Sequence, residues 1–169
     1  MNKKGFSLLE LIVAVAILAI IAAVLAPTMT QTQYDSREKA DIAALETLAS
    51  TAGAASSQSH IYKDAKKLAL KTSDQTITLY FKVDADNVVQ FDYAEANLPG
   101  ETINTKTSTA KTKDLEIYKN DVLKYINGVI EPIELQSKYY RLQKFKVILT
   151  FPDVDFKVDS KLEVIVIAE

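Results

Sequence analysis

Several residue types that commonly build active sites are absent or scarce in this chain. Its 169 residues include no cysteine, one histidine and four glycines. The lack of cysteine excludes disulfides, thiolate catalysis and cysteine-based zinc or iron–sulfur sites. A single histidine, His60, excludes a metal site built from several histidines, and no glycine-rich loop is present to hold a phosphate.

Neither sign of charge is in clear excess, since the sequence has 20 Lys and Arg residues and 22 Asp and Glu residues. A nucleic-acid-binding protein usually has an excess of basic residues, and this sequence has none. The carboxylates are scattered, and no nucleophile, base and acid stand in a recognisable catalytic pattern. We therefore expect no enzymatic activity, no cofactor, no metal and no directly bound nucleic acid.

A long apolar run dominates the N-terminal part of the sequence. Every residue from Leu11 to Ala26 is apolar, and the run extends back to Phe6 with only Ser7 and Glu10 as interruptions. A helix of this length covers about 31 Å, which matches the hydrocarbon core of a bilayer. The segment is longer than the apolar part of a cleaved secretory signal. It predicts a helix that sits in lipid or is buried against other protein.

The basic residues around this run predict its orientation. Lys3 and Lys4 precede it, and the next positive charge is Arg37. The positive-inside bias then places the N-terminus in the cytoplasm and the remainder outside.

Glu10 is a carboxylate inside the apolar run, where a charge is costly. One interpretation is that the side chain reaches back to the cytoplasmic interface. Another is that it binds a partner once the helix has left the membrane, because an unpaired buried charge costs about 3–5 kcal/mol.

The stretch Lys3–Glu10, with Pro27 further along the apolar helix, resembles the signature of type IV prepilins of the type IVa kind. The resemblance implies cleavage by a prepilin peptidase between Gly5 and Phe6 and N-methylation of Phe6. It assigns Glu10 to filament assembly and Pro27 to a helix kink. The lack of cysteine departs from the C-terminal disulfide of many pilins and is more similar to pilins of Gram-positive bacteria.

The function implied by this resemblance is structural. The chain would be a pilin that polymerises through its N-terminal helix into a type IV pilus for adhesion, motility, biofilm formation or DNA uptake. Its partners would be identical pilins, the prepilin peptidase and methyltransferase, and the inner-membrane assembly machinery. It would cross the cytoplasmic membrane once before assembly and lie in a cell-surface pilus afterwards. The alternatives are a pseudopilin of a type II secretion or competence system, or a membrane-anchored extracytoplasmic binding domain.

The resemblance and the patterning together predict an α+β protein of the type IV pilin fold, whose long N-terminal helix packs by its C-terminal half on an antiparallel sheet. The expected divisions are a leader at 1–5, a hydrophobic helix at 6–27, its amphipathic half at 28–60 and a globular head at 61–169. Apolar residues recur at three- and four-residue steps after Arg37, which is typical of a helix with one buried face.

Within the head, the pattern predicts strands at 76–83, 88–93, 145–151 and 162–168, and a helix at 115–127 capped by Gly128. Residues 97–114 have the composition of a surface loop. His60 is expected near the C-terminal end of the long helix. The aspartates at 84, 86, 153, 155 and 159 are expected to form turns, and calcium binding is the alternative interpretation.

Overall fold

A computed structural model describes residues 7–68, 75–98, 100–106, 111–140, 143–151 and 158–165. The chain divides into two compact units, Met1–Lys39 and Ala40–Glu169. The elements in chain order are α1 (Leu8–Ser56), α2 (Ser59–Lys67), β1 (Thr76–Val83), β2 (Val89–Leu98), β3 (Glu101–Asn104), α3 (Thr112–Val129), β4 (Lys144–Thr150) and β5 (Asp159–Ile165). A 3-10 turn covers Lys138–Tyr140.

The described part of the first unit is Ser7 and α1 as far as Lys39, which includes the apolar stretch and the polar residues after Pro27. All side chains from residue 7 to residue 40 are exposed, and the mean hydropathy of the most apolar stretch is 3.1. By length and composition α1 is able to cross a membrane. Pro27 lies inside the helix, which continues beyond it to Ser56. The predicted kink at this proline therefore does not end the helix.

Helix α1 ends at Ser56, earlier than the expected position near His60, and a separate helix α2 begins at Ser59. The extended backbone of Gln58 separates them, with ψ at 136°. His60 consequently lies in the first turn of α2, so its expected position near the C-terminal end of the long helix is wrong.

The second unit contains a five-stranded sheet in the order β3-β2-β1-β4-β5, with every neighbouring pair antiparallel. Period-two patterning explains the central strand β1, where Ile77, Leu79, Phe81 and Val83 are buried on one face. A bulge follows Tyr80, which pairs with Tyr93, whereas Phe81 pairs with Phe91.

The C-terminal part of α1 packs on this sheet, as the sequence predicts, and the arrangement is an α+β fold like that of type IV pilins. Its buried face carries Leu45, Leu48, Ala49, Ala52 and Ala55. Helix α3 contributes Leu115, Tyr118, Val122 and Ile126 to the same core. In both helices the buried apolar residues recur every three or four residues, as expected for a helix with one buried face.

The expectation of a loop over the whole of 97–114 is wrong, because this range contains strand and helix residues. Strand β2 extends to Leu98, Gly100 turns the chain with a φ of +78°, and Glu101–Asn104 pairs back on β2 as β3. The expectation that Gly128 caps helix α3 is also wrong, because α3 continues past Gly128 and the C-cap of the helix is Ile130. The last strand is Asp159–Ile165, three residues earlier than expected at its start, and residues 166–168 lie outside the described part.

Candidate processing and assembly site

The first turn of α1 contains a reciprocal pair of hydrogen bonds between Ser7 and Glu10. The backbone N–H of Ser7 donates to Oε2 of Glu10 over 2.9 Å, and the backbone N–H of Glu10 donates to Oγ of Ser7 over 3.3 Å. This is a capping box, in which two amides that have no partner inside the helix are satisfied by side chains. The carboxylate of Glu10 is thereby folded back toward the start of the helix.

The two residues that flank the expected cleavage point, Gly5 and Phe6, lie outside the described residues. Helix α1 begins at Leu8, so Ser7 is the last residue before the helix and immediately follows Phe6 in the sequence. The Glu10 carboxylate accepts from the amide that links Ser7 to Phe6. In the sequence, that amide is one residue away from the amino group that cleavage after Gly5 would create.

A shallow notch lies beside Glu10 on the surface of α1, lined by Leu9, Glu10, Val13, Ala14 and Ile17. The last four occupy positions i, i+3, i+4 and i+7, the set that forms a hole for a knob side chain of another helix. Ala14 gives this hole its depth because its side chain is a single methyl group. The wall is apolar and Glu10 supplies the charged group on its rim.

Hydroxyl groups of residues after Pro27 form hydrogen bonds with backbone carbonyls of α1 itself. Pro27 lacks an N–H and so cannot donate to the carbonyl one turn earlier. Four side chains beyond it donate to carbonyls three or four residues back, over 2.7–3.0 Å: Thr28, Thr30, Thr32 and Ser36. These contacts let a polar stretch continue the helix without leaving hydroxyl donors unsatisfied.

Sequence reasoning missed the contacts that hold the C-terminal part of α1 in the second unit. The buried carboxylate of Asp41 accepts hydrogen bonds from the backbone N–H groups of Gln136 and Ser137, over 2.8 Å and 2.7 Å. Just after the end of α1, Oγ of Ser57 accepts from the N–H of Val158 over 2.9 Å. These partners are 95–101 residues apart in the sequence, so no local pattern indicates them.

The aspartates of the β1–β2 turn have a structural role. Oδ1 of Asp84 accepts from the N–H groups of Asp86 and Val88, and Asn87 has a φ of 63°. An aspartate that binds amides two and four residues on stabilises a tight turn. Asp153 and Asp155 lie outside the described residues, and within the described ones no group of three His, Asp or Glu residues is placed to hold a metal ion.

A half-open cavity of about 400 Å³ lies in the second unit between the end of α3, the start of β2 and the segment 130–133. Most of the residues that line it are of apolar type, among them Leu48 and Phe81, and Gln90, Asn127 and Glu131 add polar groups to its wall. Gln90, which also lines it, already donates to Asp84 over 2.6 Å. The cavity contains no arrangement of groups with the spacing of a catalytic site.

Comparison with known proteins identifies the N-terminal segment. Residues 1–26 match the family model described as the prokaryotic N-terminal methylation motif. No curated protein and no solved structure matches the chain. The motif implies processing by a prepilin peptidase and suggests a structural rather than a catalytic protein. The chain thus carries the leader signature of type IV prepilins on an α+β fold like that of type IV pilins, which supports a pilin-like or pseudopilin protein.

Proposed function

We propose that this protein is a pilin subunit that is cut between Gly5 and Phe6, methylated on Phe6 and polymerised through α1 into a type IV pilus. The observation that carries the proposal is the methylation motif at the start of a fully exposed apolar helix that leads into a folded α+β unit. Such a helix is embedded in the membrane before assembly, and neighbouring copies of the same helix cover it afterwards.

The apolar surface of α1 explains why the helix needs either lipid or other copies. Twelve Leu, Ile and Val residues lie between Leu8 and Leu25, and those described as large exposed hydrophobics are 47–77% accessible. At about 1.5–3 kcal/mol for each side chain, leaving them in water forfeits about 20–35 kcal/mol, an upper estimate that exceeds the stability of a typical domain. A helical filament with α1 at its centre removes this surface from water.

A pair of opposite charges then sets the axial register of neighbouring helices within the filament. Cleavage after Gly5 creates a positively charged amine on Phe6. The carboxylate of Glu10, on the rim of the apolar notch, is the group that this amine on an adjacent copy would bind. A buried charge that lacks its partner is strongly unfavourable, so only the register that pairs them is stable.

Glu10 substitutions test this proposal. Glu10→Ala and Glu10→Gln remove the charge, and we expect both chains to be cut and methylated but not recovered in filaments sheared from the cell surface. Glu46→Gln is the matched control, because Glu46 is an exposed glutamate on the same helix in the second unit, and it should assemble normally. Normal filaments from both Glu10 variants would contradict the charge pairing.

The abundance of the protein in the sheared fraction distinguishes a major pilin from a pseudopilin. A major pilin dominates that fraction, whereas a pseudopilin stays in a short assembly within the cell envelope and is nearly absent from it. An uncut chain retained in the membrane would favour the anchored binding domain instead.

A further inference from the structure

Helix α2 carries a basic surface, which we call the basic face, formed by Lys63 and Lys66. Both side chains are exposed, and they line a notch together with Ser59, His60 and Tyr62. The ammonium group of Lys66 lies 5.2 Å from the centroid of the Tyr62 ring. Within the described residues neither lysine forms an ion pair with a carboxylate. The two positive charges are therefore available to a partner.

A second surface, which we call the acidic end, is formed by Asp86 in the β1–β2 turn and by Glu131 and Glu134 in the segment between α3 and β4. An isolated β-bridge between Val88 and Glu134 holds that segment beside the turn. All three acidic residues are exposed. In the part of the chain that the structure describes, no Lys or Arg forms an ion pair with them.

The strands place the basic face and the acidic end at opposite ends of the sheet. Tyr62 of α2 packs against Phe151, with ring centroids 5.9 Å apart. Phe151 directly follows the end of β4, where Thr150 pairs with Thr76 at the start of β1. The other end of β1 is Val83, which leads into the turn of the acidic end. The eight residues of β1 separate the two ends by about 23 Å.

A filament whose copies all point the same way brings these two ends together. Neighbours related by a rotation and a translation along one axis contact each other through two different surfaces, which is what lets a polymer grow. In the second unit, α1 runs from Asp41, which binds the segment beside the acidic end, to Ser56, just before α2. Copies stacked along this direction present the basic face of one to the acidic end of the next.

We propose that the second units of adjacent copies bind head to tail, with Lys63 and Lys66 of one copy contacting Asp86, Glu131 and Glu134 of the next. This rests on the proposed function, because it needs copies that assemble in one direction. It adds a contact outside the apolar helix. Exposed ion pairs contribute little energy each, so the contact chiefly selects orientation and disfavours like ends meeting.

Charge reversal at each surface tests the contact. Lys63→Glu with Lys66→Glu, or Glu131→Lys with Glu134→Lys, places like charges opposite each other. We expect each pair of substitutions to lower the fraction of cleaved chain recovered in sheared filaments by about tenfold. Combining all four restores opposite charges and should bring that fraction back to within about twofold of the unmodified chain.

The matched control for the α2 variant is Lys82→Glu with Lys144→Glu. These exposed lysines are partners across β1 and β4, so the control makes the same change in net charge at a different place. It should assemble like the unmodified chain, and a loss as large as that of the α2 variant would assign the effect to net charge and overturn the contact. Normal assembly by either reversed pair would also overturn it, as would a combined variant that assembles no better than each pair alone.

Cysteine cross-linking measures the same contact in intact filaments. The chain has no cysteine, so Lys63→Cys combined with Glu134→Cys introduces the only two thiols. A short bis-maleimide should link this chain into dimers and longer products, and each single-cysteine variant should stay monomeric. Filaments of the double variant that yield no linked products would overturn the inference. Absence of filaments from the unmodified chain would instead contradict the proposed function, so the two failures are distinguishable.

Discussion

The hydroxyl of Tyr118 lies 2.6 Å from Oγ of Ser56, in a fully buried contact that joins helix α3 to the end of α1. Ser56 donates its own hydroxyl proton to the carbonyl of Ala52, so Tyr118 is the donor in this pair. Burial raises the pKa of Tyr118 well above its ordinary value, so the phenol stays protonated and able to donate. The contact ties α3 to the last residue of α1.

Tyr118→Phe tests this contact, because it removes the hydroxyl and keeps the ring that packs edge-on against Phe151. We expect a loss of about 1 kcal/mol in the free energy of unfolding, the usual value for one hydrogen bond. Tyr118→Ala should cost about 3–5 kcal/mol because it also leaves a cavity. Thermal denaturation of the detergent-solubilised full chain measures both, and equal losses in the two variants would contradict this division.

Asp41 anchors α1 to the segment before β4 through two backbone amides. Asp41→Ala leaves the N–H groups of Gln136 and Ser137 without this acceptor, and we expect a loss of about 2–4 kcal/mol in the free energy of unfolding. Asp35→Ala, an exposed aspartate on the same helix, should change stability by less than about 0.5 kcal/mol. Chemical denaturation of both variants gives the comparison, and equal small effects would show that the two bonds do not hold the helix.

Gly53 marks the close approach of α1 to strand β5. A Cβ atom there would lie 3.0 Å from Oγ of Ser160 and 3.2 Å from the carbonyl oxygen of Val158. Gly53→Ala should therefore destabilise the chain by about 1–2 kcal/mol, because the steric cost outweighs the gain in helix propensity.

Gly128 offers a matched control for this substitution, since a Cβ built there meets open space inside α3. Gly128→Ala should raise the free energy of unfolding through helix propensity alone, by about 0.5–1 kcal/mol, which thermal denaturation measures. A stabilising Gly53→Ala would show that α1 does not approach β5 as closely as the structure places it.

Glu163 on β5 forms an ion pair with Lys146 of the neighbouring strand β4 over 2.6 Å, and a second one with Lys161 of its own strand over 2.8 Å. The hydrogen bonds from Lys146 and then Lys161 lower the pKa of Glu163 to about 2 from 4.5. The folded chain binds the proton less readily than the unfolded chain, so this contribution to stability is present above about pH 4.5 and disappears as the pH falls toward 2.

Glu163→Gln should therefore reduce stability at neutral pH slightly and flatten the dependence of the melting temperature between pH 5 and pH 2. The effect is small because solvent screens these partly exposed charges. A melting profile with an unchanged acid slope in Glu163→Gln would contradict this role.

Regular periodicity made much of the fold predictable from the sequence. Strand β1 was expected at 76–83, and the structure has it at Thr76–Val83, because alternating apolar and β-branched residues indicate a half-buried strand. The long apolar helix and its packing on an antiparallel sheet are also confirmed. Strand β3 could not be predicted, since it has four residues and lies in a stretch of the sequence that has the composition of a loop.

The candidate site was only partly predictable. Glu10 and Ser7 stand at the spacing of a capping box in the sequence, but Glu10 was interpreted through its cost in lipid, its need for a partner and the resemblance to prepilins, and its contact with Ser7 was missed. The anchors at Asp41, Gly53 and Ser57 depend on partners that folding brings from about 100 residues away. Long-range pairing of this kind leaves no local signal in one sequence.

The N-terminal residue of the mature protein tests the central proposal most directly. Intact mass spectrometry and N-terminal peptide mapping of chains from filaments sheared from producing cells should find Met1–Gly5 removed and a single methyl group on the amine of Phe6. Recovery of the polypeptide only from the membrane, with Met1–Gly5 still attached and Phe6 unmodified, would contradict it.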